Sequence, residues 1–306
     1  MTNPDTNPAL DSAAALLAAS PDYRVLRRLV TTDDFGVRLD EPIASAVIID
    51  TETTGVSREA DQIIELGVVR FEFGETSGRI SRVTAAYSGL EDPGRPIPPE
   101  STAIHGITDA MVAGRRIDDA RVAELLAGAK LVVAHNSAFD RPFLEIRLPI
   151  FASLPWGCSL SQVPWEEEGF RGRKLEYLAW ASGFFFDGHR SEIDCRALLE
   201  LLRRPLPKSG RIAFKCILDA SAEPALRLWA TGSPFETKDV LRERGYRWDA
   251  ERRCWSRMVV KSTAKEESEW LKANVYGGRA AQIEVEVLDA RVRFSERSGP
   301  KKARVI

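Results

Sequence analysis

Histidine is scarce in this chain, with three in 306 residues, and cysteine is barely commoner. The four cysteines (Cys158, Cys195, Cys216, Cys254) form no C-x-x-C pair. That spacing argues against a structural zinc site or a disulfide framework and suits reduced thiols. No run of about 18 apolar residues occurs, which excludes a membrane-spanning helix. Neither charge dominates: 43 Lys and Arg stand against 45 Asp and Glu. A net charge of -2 excludes a uniformly basic nucleic-acid coat but leaves room for a local basic patch. Gly-rich phosphate loops and internal repeats are missing too. The apolar stretch 13–19 lacks the positive flank of a secretory signal, with Asp5 and Asp11 there instead. It is read as a short helix ending near Pro21, and the chain as cytoplasmic. What remains is ordinary for a folded protein, 44% hydrophobic and 29% charged, at a length that suits two domains.

The pattern along the chain divides it into five stretches. Residues 1–45 read as a loose Asn-, Pro- and Thr-rich start followed by helices, one of them spanning 22–30 with Val25, Leu26 and Leu29 on one face. From Ala46 a β-branched run (46–49) predicts a strand buried on both faces, and 63–73 and 79–87 predict two more around a turn at 74–78. Helices then alternate with a short strand at 131–134: 118–126, a helix around Phe139 and Leu144, 175–180 and 191–202. Pro142 is tolerable only near a first helical turn. The expected architecture for 46–205 is α/β, a mixed sheet flanked by helices. Residues 206–223 read as a linker, marked by Pro205 to Gly210. Residues 224–275 predict a small α+β module of βαββα order, with capping boxes starting at Ser233 and Thr263. Residues 276–306 predict one or two further strands within 282–294 and a polar tail.

The sharpest local signal is Asp50-Thr51-Glu52-Thr53-Thr54-Gly55, at the end of the first strand. Strand side chains alternate, so Asp50 and Glu52 project on one face, and two ionised carboxylates so placed repel unless a cation sits between them. Hard oxygen donors suit Mg²⁺ or Mn²⁺, while a solvated pair at a strand end is the plain alternative. Asp140 falls at the start of a helix, where an acid also stabilises the dipole. His189 lies in a loop and Asp194 about one turn into the next helix, so both can face one point.

Four segments then occur in order: the Asp50 run, Ile104-His105-Gly106-Ile107-Thr108, His135-Asn136-Ser137-Ala138-Phe139-Asp140, and His189 with Asp194. Together they resemble the three motifs of the DEDDh 3′-to-5′ exonucleases, the family that includes the proofreading epsilon subunit of bacterial DNA polymerase III. The resemblance covers roughly residues 46–205, with no departure at the four acids or the histidine. It implies a ribonuclease H-like fold and two Mg²⁺ (or Mn²⁺) ions about 4 Å apart at the scissile phosphate. It implies that Asp50 bridges both ions, that Glu52 and Asp194 complete one site and that Asp140 supports the other. His189 is then the general base, since an imidazole titrates near neutral pH. Thr53, His105 and Phe139 become contacts to the terminal nucleotide, although Phe139 also fits a core role beside Phe143. His135, directly after a buried strand, reads as a satisfied structural imidazole.

The C-terminal module has its own chemistry. Between 224 and 261 nine bases face five acids, an excess of about four, interleaved with Trp229, Tyr246, Trp248 and Trp255. Arginine beside aromatic faces suits a single-strand platform, although Trp229 and Trp255 read first as core. The sequence thus predicts a metal-dependent exonuclease on single-stranded DNA 3′ ends, in repair or proofreading. The competing readings are an RNA-trimming exoribonuclease and an inactive nuclease fold that serves as a binding subunit. No membrane partner is expected, and a polymerase or repair partner is not specified.

Overall fold

The computed structural model describes residues 7–306, so most of the Asn-, Pro- and Thr-rich start lies outside the described residues. In chain order the strands are β1 (Arg27–Arg28), β2 (Ile43–Thr53), β3 (Ile63–Gly74), β4 (Ile80–Leu90), β5 (Val132–Ala134), β6 (Trp156–Cys158) and β7 (Phe184–Phe185). After them come β8 (Ala225–Trp229), β9 (Arg247–Asp249), β10 (Cys254–Val260), β11 (Gln282–Leu288) and β12 (Lys301–Val305). No helix among the described residues is long and apolar enough to cross a membrane.

The first sheet has the order β4-β3-β2-β5-β6, antiparallel from β4 to β2 and parallel from β2 through β6. This is the mixed α/β sheet expected for 46–205. Because β2 is central and apolar on both faces, its residues alternate between two cores. Ile48 packs with Val133, Leu198 and Phe214 on one side; Val47 and Ile49 pack with Val122, Phe143 and Leu144 on the other.

Gly67 decides how closely the helix Ser191–Leu202 can lie on that sheet. A Cβ there would sit 2.4 Å from the carbonyl carbon of Ser191, so only glycine admits the helix start. Cys195 seats the same helix from below, its thiol donating to the carbonyls of Ile48 and Gly67.

Several expectations are corrected. Residues 22–30 form no helix. Arg27–Arg28 is extended and pairs in parallel with Phe184–Phe185, while Arg28 stacks on Phe185, so tertiary pairing overrides the helical spacing. The stretch 206–223 is no linker: the helix Ala213–Ala222 buries Phe214 edge-on against Phe71 and Phe73. Pro142 lies inside the helix Ser137–Arg147 rather than in its first turn. Proline lacks the N–H that would bond the Ala138 carbonyl, and Arg58 donates to that carbonyl instead, at 2.9 Å.

The second sheet is antiparallel, ordered β12-β11-β8-β10-β9. Trp229 is buried in it, as expected of a small module that needs large apolar residues. The strand near 282 is its interior strand β11, and its partner is not within 282–294. Lys301–Val305, read as polar tail, supplies β12, an edge strand that tolerates five exposed residues. Neither capping box forms: Pro234 precedes a 3-10 turn, Phe235–Thr237, and the Thr263 hydroxyl donates to Val260 rather than capping its helix.

Candidate active site

The site lies where β2 and β5 end, at the carboxyl edge of the parallel part of the sheet. Strand alternation puts Asp50 and Glu52 on one face, and a register shift between Glu52 and Thr53 bends β2 just there. The helix start that Gly67 admits brings Asp194 to the same point; Gly67 is the cross-strand partner of Asp50. The carboxylate oxygens of Asp50, Glu52 and Asp194 lie within 4.8 Å of one another. Asp140 comes from the opposite direction, on the first turn of Ser137–Arg147. One of its oxygens accepts from the Thr51 N–H (3.1 Å) and the Thr51 hydroxyl (2.9 Å).

All four carboxyls are held above the ordinary carboxylate range, first of all by burial. Asp50 is raised well above that range, with the charges of Asp140, Asp194 and Glu52 adding to the effect of burial. Glu52 is pushed up to about 8 by burial and then by Asp194 and Glu65. Burial lifts Asp140 to about 7 against the Thr51 hydrogen bonds, and Asp194 to about 7 against the Arg190 N–H, which it accepts at 3.0 Å. The cluster therefore resists ionising together without a cation.

A pocket of about 350 Å³ opens over these acids, and His189, Phe139, Lys174 and Glu176 also line it. His189 has a left-handed backbone, φ 64°, rare for a residue with a Cβ and held in place here by the loop around it. Its half-exposed ring points Nε2 toward Glu176 Oε1 at 4.0 Å. Phe139 packs on Phe143 at 5.2 Å between centroids while facing the pocket.

Thr53 and His105 are placed differently. Thr53 is buried and its hydroxyl donates to the Gly55 carbonyl at 2.6 Å. His105 is buried outside the pocket lining, with Nδ1 accepting from the Ile107 N–H and Nε2 without a partner among the described residues. Burial lowers its pKa. His135 has both ring nitrogens engaged, by Ser159 and the Arg173 carbonyl at 2.7 Å each, as a structural imidazole does.

Sequence reasoning missed Glu65, which is almost fully buried. It sits across from Glu52 in the β2–β3 register and accepts from the Ser191 N–H (2.9 Å) and the Arg190 guanidinium (2.9 Å). It thereby anchors the link between His189 and Asp194. One acid inside the apolar run Ile63 to Val69 was the available signal.

A mixed five-stranded sheet flanked by helices, with acids gathered at its carboxyl edge, defines a ribonuclease H-like nuclease fold. Residues 47–202 match the family described as Exonuclease, RNase_T, and the chain belongs to that family. It is 30% identical over 192 residues to the DNA polymerase III subunit epsilon of Treponema pallidum (strain Nichols), covering 58% of this chain and 84% of that protein. It is 40% identical over 109 residues to a DNA polymerase III subunit epsilon-like protein of Rhodobacter capsulatus, covering 32% of this chain and 14% of that protein. Among solved structures it is similar to Exonuclease X in complex with 5′ overhanging duplex DNA, at 25% identity and a TM-score of 0.40, over 58% of this chain and 93% of that one.

Proposed function

We propose that this chain is a metal-dependent 3′-to-5′ exonuclease that removes nucleotides from DNA 3′ ends, in repair or proofreading. The meeting of Asp50, Glu52 and Asp194 within 4.8 Å carries this reading. The donor set fits a hard divalent cation: it offers only carboxylate oxygens, and their mutual repulsion has no other partner within the cluster. Asp50, Glu52 and Asp194 would hold one Mg²⁺ or Mn²⁺, and Asp50 with Asp140 a second. When bound, such ions polarise the phosphate and make a water acidic enough to attack near neutral pH.

The chain's own residues do the rest. His189 accepts the proton of the attacking water at a ring nitrogen, and Glu176 stabilises the imidazolium that results. Thr51 holds one Asp140 oxygen in place, so that carboxylate is oriented before substrate arrives. Lys174 offers a positive charge to the phosphates. Phe139 presents a ring to the terminal base.

The test uses purified protein, 5′-labelled single-stranded DNA and RNA of one sequence, and Mg²⁺, Mn²⁺ or EDTA. A metal-dependent ladder shortening from the 3′ end, faster on DNA and absent in Asp50→Ala, is the expected result. A faster RNA ladder would replace DNA by RNA as substrate. No ladder on either polymer from folded protein would leave a nucleic-acid-binding subunit.

A further inference from the structure

The C-terminal sheet carries a pocket of about 400 Å³ that the acidic site does not use. It is walled by Phe235 on the 3-10 turn, Lys238 and Arg242 on the helix that follows, and Trp248, Arg253 and Trp255 on the β9–β10 hairpin. No Asp or Glu lines it.

The fold separates the module's paired bases from those at the pocket. Arg244 and Arg257 share buried Glu267, Arg227 bonds Glu286 and Arg252 bonds Glu284, so these four are paired with three carboxylates within the module. Lys238 and Arg253 form no ion pair among the described residues, and Arg242 pairs only with exposed Asp239. Of the module's other bases between 224 and 261, Lys238, Arg242 and Arg253 line the pocket, whereas Arg247 and Lys261, also without an ion pair among the described residues, lie outside its lining. The aromatics divide the same way. Trp229 and Tyr246 are buried, whereas Phe235 is 75% exposed and Trp248 51% exposed. Large rings left in water do nothing for a small core that needs apolar mass. Lys238 Nζ sits 4.2 Å from the Phe235 ring centre, and Trp248 stands edge-to-face on Trp255 at 5.6 Å.

We infer that this pocket is a second, non-catalytic site for single-stranded nucleic acid. An unpaired base stacks on Phe235 or Trp248, and Lys238, Arg242 and Arg253 meet the adjacent phosphates. The inference rests on the exonuclease reading, since it gives the strand a second hold away from the end being cut. Ring faces beside unpaired cations match a polyanion with flat bases. The edge strand β9, three residues long, offers too little backbone for a peptide to add as a strand.

The test is fluorescence anisotropy with the full chain in EDTA, where no cutting intervenes, using labelled oligothymidylate and a labelled acidic peptide as probes. Phe235→Ala and Trp248→Ala remove exposed rings, and Lys238→Glu places an acid at a helix start where the dipole favours it, so folding is spared. Each ring deletion should weaken oligothymidylate binding about five- to a hundredfold. Lys238→Glu should lower the salt slope by about 0.7 for each phosphate it leaves without a cation. Hydrolysis of a dinucleotide in Mg²⁺, too short to reach the second site, should be unchanged in all three. Oligothymidylate affinity unchanged by the ring deletions overturns the proposal, as does binding of the acidic peptide alone. If wild type gives no ladder on single-stranded DNA or RNA but binds oligothymidylate in a ring-dependent way, the exonuclease reading fails while the second site stands.

Discussion

At Asp50 the requirements of folding and of the proposed metal site pull apart. The carboxyl is buried among three others, and burial first, then their repulsion, raises its pKa, a cost that the metal-free fold must bear. Asp50→Asn keeps the shape and removes that charge, so the metal-free variant should melt at a higher temperature than wild type. It should also lack the Mg²⁺-dependent rise in melting temperature expected of wild type, and activity should fall on the order of a thousandfold. Thermal melts with and without Mg²⁺, beside the hydrolysis assay, check all three together. A lower metal-free melting temperature would mean that Asp50 serves folding rather than a cation. This residue was plain in the sequence, because alternation along one strand is a local rule.

At the scale of elements, the site depends on how tightly the helix Ser191–Leu202 sits on β3. Gly67 allows the approach and Glu65 locks it, receiving Ser191 and Arg190. A hydrogen bond to a buried charge contributes about 1.5–3 kcal/mol, so Glu65→Gln should cost stability of that order. It should also lower kcat about ten- to a hundredfold with KM nearly unchanged, because the loop of His189 is released while the substrate pocket stays. Steady-state kinetics on a short oligonucleotide would show the split. An equal loss in KM would place Glu65 in substrate binding instead. Four strands of the nuclease sheet and several flanking helices were legible from apolar periodicity, but the short edge strand β6 was not. Glu65 was not, because in the sequence it is one acid in a buried run, and its partners are more than a hundred residues away.

At the scale of the whole molecule, the C-terminal segment is built into the nuclease. Arg141, the neighbour of Asp140, is fully buried and donates to the carbonyls of Ala290, Arg291 and Arg293, in the loop between β11 and β12. The Trp156 N–H, on the edge strand of the first sheet, bonds the Ala290 carbonyl at 2.7 Å. Glu145 ties Arg141, Ser295 and Arg297 together. A chain ending near Pro207 would also lose the Phe214 helix and expose part of the nuclease core, so it cannot isolate the role of the module. Arg141→Met in the full chain tests the clamp directly. Taking the Arg141 guanidinium away from Glu145 and from the Ala290, Arg291 and Arg293 carbonyls should cost about 3–5 kcal/mol, read as a lower melting temperature and lower activity on substrates of every length. Unchanged melting would show that the loop merely rests on the helix.

The linear order of residues already contained the four acids, the histidine, the alternation of strands with helices and the surplus of bases and rings near the C-terminus. Each of these follows from local periodicity or from an ordered motif, and neither needs knowledge of distant neighbours. Three-dimensional packing settled which of those groups meet. It drew Asp194 beside Asp50 through a glycine, turned the apparent linker into a core helix, and gave the polar tail a place as an edge strand. It also divided the arginines between internal carboxylates and an open aromatic pocket. Burial and pairing are properties of neighbours in space, and those neighbours here come from segments a hundred or more residues apart.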